Sequence, residues 1–268
     1  MLIAEWIKEW EKRVPAELQE DWDNTGKQFG DFDKDLKGIV FSLDLTEDAI
    51  DLALEKGANL IFAHHPVFYS PIKSLLTDDP LSAMIIRSIR EGICLYSSHT
   101  AFDAVNGGVN DHIAEIIGLR QTEALDPMPE DNPLSAFSKG MGRIGLVPDP
   151  SLTVRQFGEI LNKKFGGHGV FIYGKPDAKV SKVAVLGGGG MSFVDRALKG
   201  GADLYVTADI KYHEAQAAIR KGLNLIDLGH FASEEPAMDR AKEWGEKICP
   251  EVPCYISKDS WDCIRRGI

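Results

Sequence analysis

The chain has few cysteines, no long apolar run and a deficit of positive charge. Its four cysteines among 268 residues, Cys94, Cys249, Cys254 and Cys263, contain no Cys-x-x-Cys pair. That excludes a zinc ribbon and a thioredoxin-type motif. Cys94 sits in the apolar run Ile93-Cys94-Leu95-Tyr96 and reads as a small core residue. The other three are expected as reduced thiols of a cytoplasmic protein. No stretch approaches the length of a membrane span, and the start, Met1-Leu2-Ile3-Ala4-Glu5-Trp6, lacks the basic flank and apolar core of a signal peptide. With 30 Lys and Arg against 41 Asp and Glu, the formal charge is −11. Such a surface repels phosphate backbones, which argues against direct nucleic-acid binding.

The length suits one large domain or two lobes. Strand and helix patterns alternate, so the expected fold class is α/β. Ile3, Trp6, Ile7 and Trp10 recur at helical spacing over 3–13. Strands are expected at 38–43, 59–63 and 93–97, and helices at 47–56 (with Thr46 as N-cap), 80–91 and 109–117. The segment 124–142 carries three prolines and little periodicity, and reads as a connection between lobes. Beyond it come strands at 144–147, 170–173, 182–186, 203–207 and 224–228. Helices are expected at 152–164, 191–200, 212–221 and 234–247. The expected domains are a first lobe over 1–128, with 235–268 packing back on it, and a second over 129–234.

The halves echo each other. Gly57-Ala58-Asn59-Leu60 through His65 lies over Gly201-Ala202-Asp203-Leu204 through Asp209, and Ile93–His99 parallels Asn224–His230 in the same order. This points to two similar lobes from an internal duplication. Functional groups of open α/β sheets gather beyond the C-terminal strand ends, so a cleft between facing lobes would collect them.

Three motifs occupy such strand ends. In Ala63-His64-His65-Pro66 the proline ends strand pairing. Adjacent side chains of a regular strand point to opposite faces, but past its end one imidazole could serve each of two neighbouring metals. In His99-Thr100-Ala101-Phe102-Asp103 a carboxylate follows a histidine by four. Asp103 reads as a ligand or as a loop-closing cap, and His99 as a hydrogen-bonded partner of a ligand or a proton-transfer group. In His230-Phe231-Ala232-Ser233-Glu234 the spacing repeats. Ser233 before Glu234-Glu235-Pro236 looks like a helix N-cap, with Glu234 facing His230 as a ligand pair. Imidazole with carboxylate suits zinc, iron, manganese or nickel. The run Gly187–Gly190 lacks the lysine of a nucleotide loop; it reads as a tight turn or as exposed N–H groups near an anionic substrate.

These motifs, with Trp22-Asp23-Asn24-Thr25-Gly26 and Thr207-Ala208-Asp209-Ile210-Lys211-Tyr212-His213, resemble the Nif-three-like family, also labelled GTP cyclohydrolase I type 2-like, over nearly the whole chain. Ala208 departs from the glycine usual before the aspartate, a mild change. The resemblance implies a two-lobed Nif-three-like fold with a dinuclear metal site in the cleft between lobes. It carries two divalent ions onto His64, His65, Asp103, His230 and Glu234, leaves His99 for acid–base work, and implies a ring-like homohexamer. A dinuclear-metal-dependent hydrolase, cyclohydrolase-like or phosphoesterase-like on a small anionic substrate, is the expected activity. The alternative is a non-catalytic metal-binding, metallochaperone or regulatory interaction protein.

Overall fold

Helix α1 (Ile3–Glu11) forms where the sequence spacing requires it, and Ile3, Trp6, Ile7 and Trp10 are all buried. The computed structural model describes residues 1–258; residues 259–268, and Cys263 with them, lie outside the described residues. After α1 come β1 (Gly26–Phe29), β2 (Ile39–Ser42), α2 (Glu47–Lys56), β3 (Leu60–Ala63), α3 (Pro80–Arg90), β4 (Cys94–Ser97) and α4 (Thr100–Ala104). Then follow α5 (Val109–Ile117), β5 (Arg120–Pro127), β6 (Gly140–Leu146), α6 (Val154–Lys164), β7 (Phe171–Tyr173), β8 (Lys182–Val185), α7 (Val194–Lys199) and β9 (Leu204–Thr207). The series closes with α8 (Tyr212–Arg220), β10 (Asn224–Asp227), α9 (His230–Glu234), α10 (Ala237–Ile248) and β11 (Cys254–Ile256).

The chain divides into two compact units, one of Met1–Phe102 with the segment from Met238, the other of Asp103–Ala237. The first unit's sheet runs β1-β4-β3-β2-β11, with β2, β3, β4 and β11 parallel and β1 antiparallel at the edge. Register lays the strands in rows. Val40, Ile61 and Leu95 align on one face and pack on Ala49, Ile50 and Ala53 of α2 and Ile85 of α3. Phe41, Phe62 and Tyr96 align on the other, the alternation expected of strands. There Trp10 meets Phe62 at 4.6 Å and Trp244 at 6.0 Å between ring centroids, and its indole N–H donates to Ser98 Oγ at 3.3 Å. Thr46 caps α2 by accepting from Ala49 N, and Gly57 ends it in the left-handed region (φ 66°).

The second unit's sheet runs β5-β6-β8-β9-β10-β7. Its parallel trio β8, β9, β10 repeats the order of β2, β3, β4, and β7 lies antiparallel on β10 as β1 does on β4. The repeated trio is what the internal echo predicts; the matching antiparallel edge strands go beyond it. The opposite edges differ, because β2 takes parallel β11 while β8 takes antiparallel β6.

Two expectations need correction. Residues 124–142 are not a bare connection: their ends belong to β5 and β6, which pair antiparallel. Proline is tolerated there because Pro127 closes a strand at the sheet's edge. That pairing draws α5 and β5 into the second unit, so the break falls at 102/103 rather than 128/129. The return of the later segment to the first unit begins at Met238, where 235 was expected, and β11 completes that sheet.

Candidate metal centre

His64 and His65 follow β3 directly. Their consecutive N–H groups donate to Ser42 O and Leu43 O, at 3.1 and 3.0 Å. A regular strand alternates its donors, so strand geometry has ended here and the opposite-face rule lapses. The two rings lie 5.1 Å apart, and His99 completes a trio at 5.2 and 5.5 Å from them. One nitrogen from each of His64, His65 and His99 lies within 4.8 Å of the others.

Each ring is oriented through Nδ1. His64 is fully buried and bonds Ser98 O at 2.9 Å, while Ser97 Oγ donates to the His64 carbonyl at 2.8 Å. His65 bonds Asp44 Oδ1 at 2.7 Å, and His99 bonds Asp23 Oδ1 at 2.8 Å. A carbonyl or carboxylate at Nδ1 makes that nitrogen the donor and puts the lone pair on Nε2, the arrangement of a metal-ligating imidazole. Burial raises the Asp23 pKa, but hydrogen bonds from His99 and Thr100 outweigh it and hold this carboxyl well below the usual carboxylate range. Asp23 also accepts from Thr25 Oγ1 and from the Asn24 and Thr100 N–H groups. Asp23 is therefore an anionic anchor for His99.

In the second unit His230 and Glu234 begin and end the one-turn helix α9. Spacing of four puts them on one face, and His230 Nε2 lies 3.1 Å from Glu234 Oε2. Asp209 Oδ2 meets His230 Nδ1 at 2.6 Å. An imidazole flanked by two carboxylates calls for positive charge, either a second proton or a cation on the Nε2 side. The donor set thus fits a divalent ion. Asp103, on α4, is buried. Its carbonyl accepts from Asn110 Nδ2 at 3.1 Å, and Asn110 Oδ1 accepts from Gly187 N at 3.1 Å. Ser233 is not an N-cap. It lies within α9, which starts after Gly229 (φ 91°), and its hydroxyl accepts from Gly188 N at 3.0 Å while donating to His230 O at 2.8 Å.

The glycine run turns sharply after β8, as the first of its two expected readings has it, with Gly188 at φ 65°; the second reading fails. The N–H groups of Gly187, Gly188 and Gly190 donate inward, to Asn110, Ser233 and Thr207, so they do not await an anion. The run walls the site instead. A Cβ on Gly188 (φ 65°) would stand 2.2 Å from Glu234 Oε1 and 3.2 Å from His230 Nε2. Sequence reasoning places Asp23 and Asp209 in motifs without giving either a role, and passes over Asp44 and Asn110. One signal was present for Asp209: in the internal echo it occupies the place of His65, and it adopts a positive φ of 56°, which favours residues of its kind.

Asp44→Ala should release His65 and weaken zinc binding roughly 10- to 100-fold. The melting temperature should barely move, because Asp44 keeps 42% of its side chain in water. Competition against a zinc chelator checks this, and unchanged affinity would mean that Asp44 does not orient a ligand.

Comparison with known proteins finds the family model for Duf34/NIF3 (NGG1p interacting factor 3) matching residues 1–259. A GTP cyclohydrolase 1 type 2 homolog of Clostridium perfringens is 34% identical over 250 residues, covering 93% of each chain. A Bacillus cereus protein related to NIF3 superposes with a TM-score of 0.91 at 25% identity, covering 100% of this chain and 99% of that one. The reduced HcgD protein of Methanocaldococcus jannaschii superposes with a TM-score of 0.77 at 27% identity, covering 97% and 98%.

Proposed function

Since the chain belongs to the Duf34/NIF3 family, we propose that it is a hydrolase using two divalent ions held by His64, His65, Asp103, His230 and Glu234. The substrate class is small and anionic, of nucleotide type, and the reaction is cyclohydrolase-like or phosphoesterase-like. The observation that carries this reading is the shared device at His64, His65 and His230, each with Nδ1 on an oxygen and Nε2 turned to coordination. Bound ions supply Lewis acidity toward a substrate oxygen and a more acidic water. Three neutral imidazoles and two carboxylates leave net positive charge on two such ions, which draws an anionic substrate.

The chain's own groups handle orientation and protons. Ser98, Asp44 and Asp209 fix the ligand rings. His99 keeps its Nδ1 proton on Asp23, so its Nε2 takes a proton from the attacking water and returns it to the leaving group. The curated relative's name, GTP cyclohydrolase 1 type 2 homolog, supports GTP as the first substrate to try. The assembly proposed is a ring-like cytoplasmic homohexamer, checked by light scattering. Among the described residues no helix is long and apolar enough to cross a membrane.

The test is turnover of GTP and a phosphoester panel by full-length protein loaded with zinc or manganese. His99→Gln should lose about 10²- to 10⁴-fold in kcat while keeping its metal. Turnover no faster than that of a His64→Ala, Glu234→Ala double variant would sink the hydrolase. Ready transfer of metal to an acceptor would then favour a carrier.

A further inference from the structure

Two large aromatic side chains stand in the open beside the histidine trio. Trp22 is 57% exposed and Tyr69 58%. Water contact over so much ring surface is costly, yet the rings are not loosely placed. They stack on each other at 5.9 Å with 24° between planes. Each then meets His99 edge-on, Trp22 at 5.7 Å and 77°, Tyr69 at 5.8 Å and 70°.

The backbone that carries them is cross-tied. Asn24 Nδ2 donates to Phe68 O at 2.9 Å, and Phe68 N donates to Gln28 Oε1 at 3.3 Å. Gln28 Nε2 in turn donates to Asn24 O at 2.7 Å. Trp22 precedes Asp23, the anchor of His99, and Tyr69 follows Phe68. The loop before β1 and the loop after β3 are thus stapled together two residues from Trp22 and one from Tyr69. The stack is pre-organised, which lowers the ordering cost of any ligand that joins it.

We propose that Trp22 and Tyr69 form a stacking platform for a planar heteroaromatic ring of the substrate. A flat ring laid on the pair extends the stack, and its rim turns toward His99, which lies roughly perpendicular to both platform rings. An imidazole beside that rim can exchange hydrogen bonds with it, so ring nitrogens or exocyclic oxygens suit it better than hydrocarbon. Stacking of this kind tolerates different bases, because every heteroaromatic ring offers a π-face. The inference deepens the proposed function by naming the substrate group that the first unit grips, and it rests on that reading only for the chemistry that follows binding.

Calorimetric titration of the full-length protein with guanosine, adenosine and nicotinamide riboside, against ribose, tests it. At least one ring-bearing probe should bind ten-fold or more tightly than ribose. Trp22→Ala and Tyr69→Ala should each weaken that probe about ten-fold, with Trp22→Phe recovering most of the loss and metal content unchanged. The platform is overturned if no ring-bearing probe exceeds ribose, if the alanine variants bind like the parent, or if Trp22→Ala acts only by changing the oligomeric mass in light scattering. Ring-dependent binding without turnover would keep the platform and sink the hydrolase; turnover with ring-independent binding would do the reverse.

Discussion

Gly188→Ala should fold and yet lose zinc affinity by about 100-fold or more. Two effects separate cleanly at this position. The left-handed backbone (φ 65°) costs a non-glycine residue about 1–2 kcal/mol wherever it occurs. The added methyl would also stand 2.2 Å from Glu234 Oε1, closer than any real contact, so something must yield. Glu234 is the end of a flexible side chain, and its displacement costs little folding energy. It is nevertheless buried (3% exposed) and on a one-turn helix, so it moves away from the place where its oxygen meets His230. Displacing a proposed ligand should exceed the 10- to 100-fold typical of losing a supporting group. Gly57→Ala isolates the backbone effect, because Gly57 has φ 66° and nothing within 4 Å of the added carbon. Both variants should melt lower by similar amounts, and only Gly188→Ala should fail in a chelator competition. Equal zinc affinity in the two would mean that Gly188 does not hold Glu234 in place.

Arg143→Met should remove about 3 kcal/mol of stability at pH 7, roughly 10 °C in melting temperature. Arg143 is 1% exposed. Its guanidinium grips Asp111 with two bonds of 2.5 and 2.6 Å and donates to the Gly140 and Gly142 carbonyls. Methionine fills the volume but leaves Asp111 charged and half-covered. The lower end of the usual 3–5 kcal/mol applies, because Asp111 keeps 25% of its side chain in water. The pH dependence has a definite sign. Burial raises the Asp111 pKa, but the bonds from Arg143 and its charge outweigh burial and hold it below the ordinary value. A depressed carboxyl contributes stability that is present above its unfolded pKa, near 4, and lost as pH falls through the lower folded value. The gap between parent and Arg143→Met in urea should therefore be full at pH 7 and narrow below about pH 4. A gap that stays constant down to pH 2 would remove the charge explanation. The same helix, α5, carries Asn110, which ties Asp103 to the glycine run. Loosening α5 should accordingly lower zinc affinity as well.

Local rules made the parallel strand–helix units legible. Thr46 and Gly57 bracket α2 as cap and stop, and the apolar spacing of α1 is unambiguous. His64, His65, His99, His230 and the carboxylates four residues after the last two stood out because strand ends carry function and residue type names the chemistry. Their supports did not. Asp23 lies 76 residues from His99, and Asp209 lies 21 from His230; both stand in recognisable motifs, but in a chain with 41 acids no local signal pairs either with its histidine. Strands β1 and β5 escaped because edge strands face water and need no apolar alternation, as the largely exposed β5 illustrates. Ser233 was misjudged because Ser-Glu-Glu-Pro has every mark of a helix start. The true start is fixed four residues earlier, by the positive φ of Gly229.

The placement of β11 has a consequence for synthesis. Strand β2 lies between β3 and β11, and its residues are all buried. A chain emerging from the ribosome offers β2, β3 and β4 early, but the partner that covers the outer side of β2 is more than 150 residues downstream of β4. At about 5–20 residues per second the wait is roughly 10–30 s. Throughout it an apolar edge with unpaired backbone groups is available to any passing strand. Among the described residues, every strand of the second unit precedes the first unit's last one in sequence. The nascent protein should therefore be most vulnerable to aggregation, and most dependent on chaperones, in the interval before Cys254–Ile256 clears the exit tunnel.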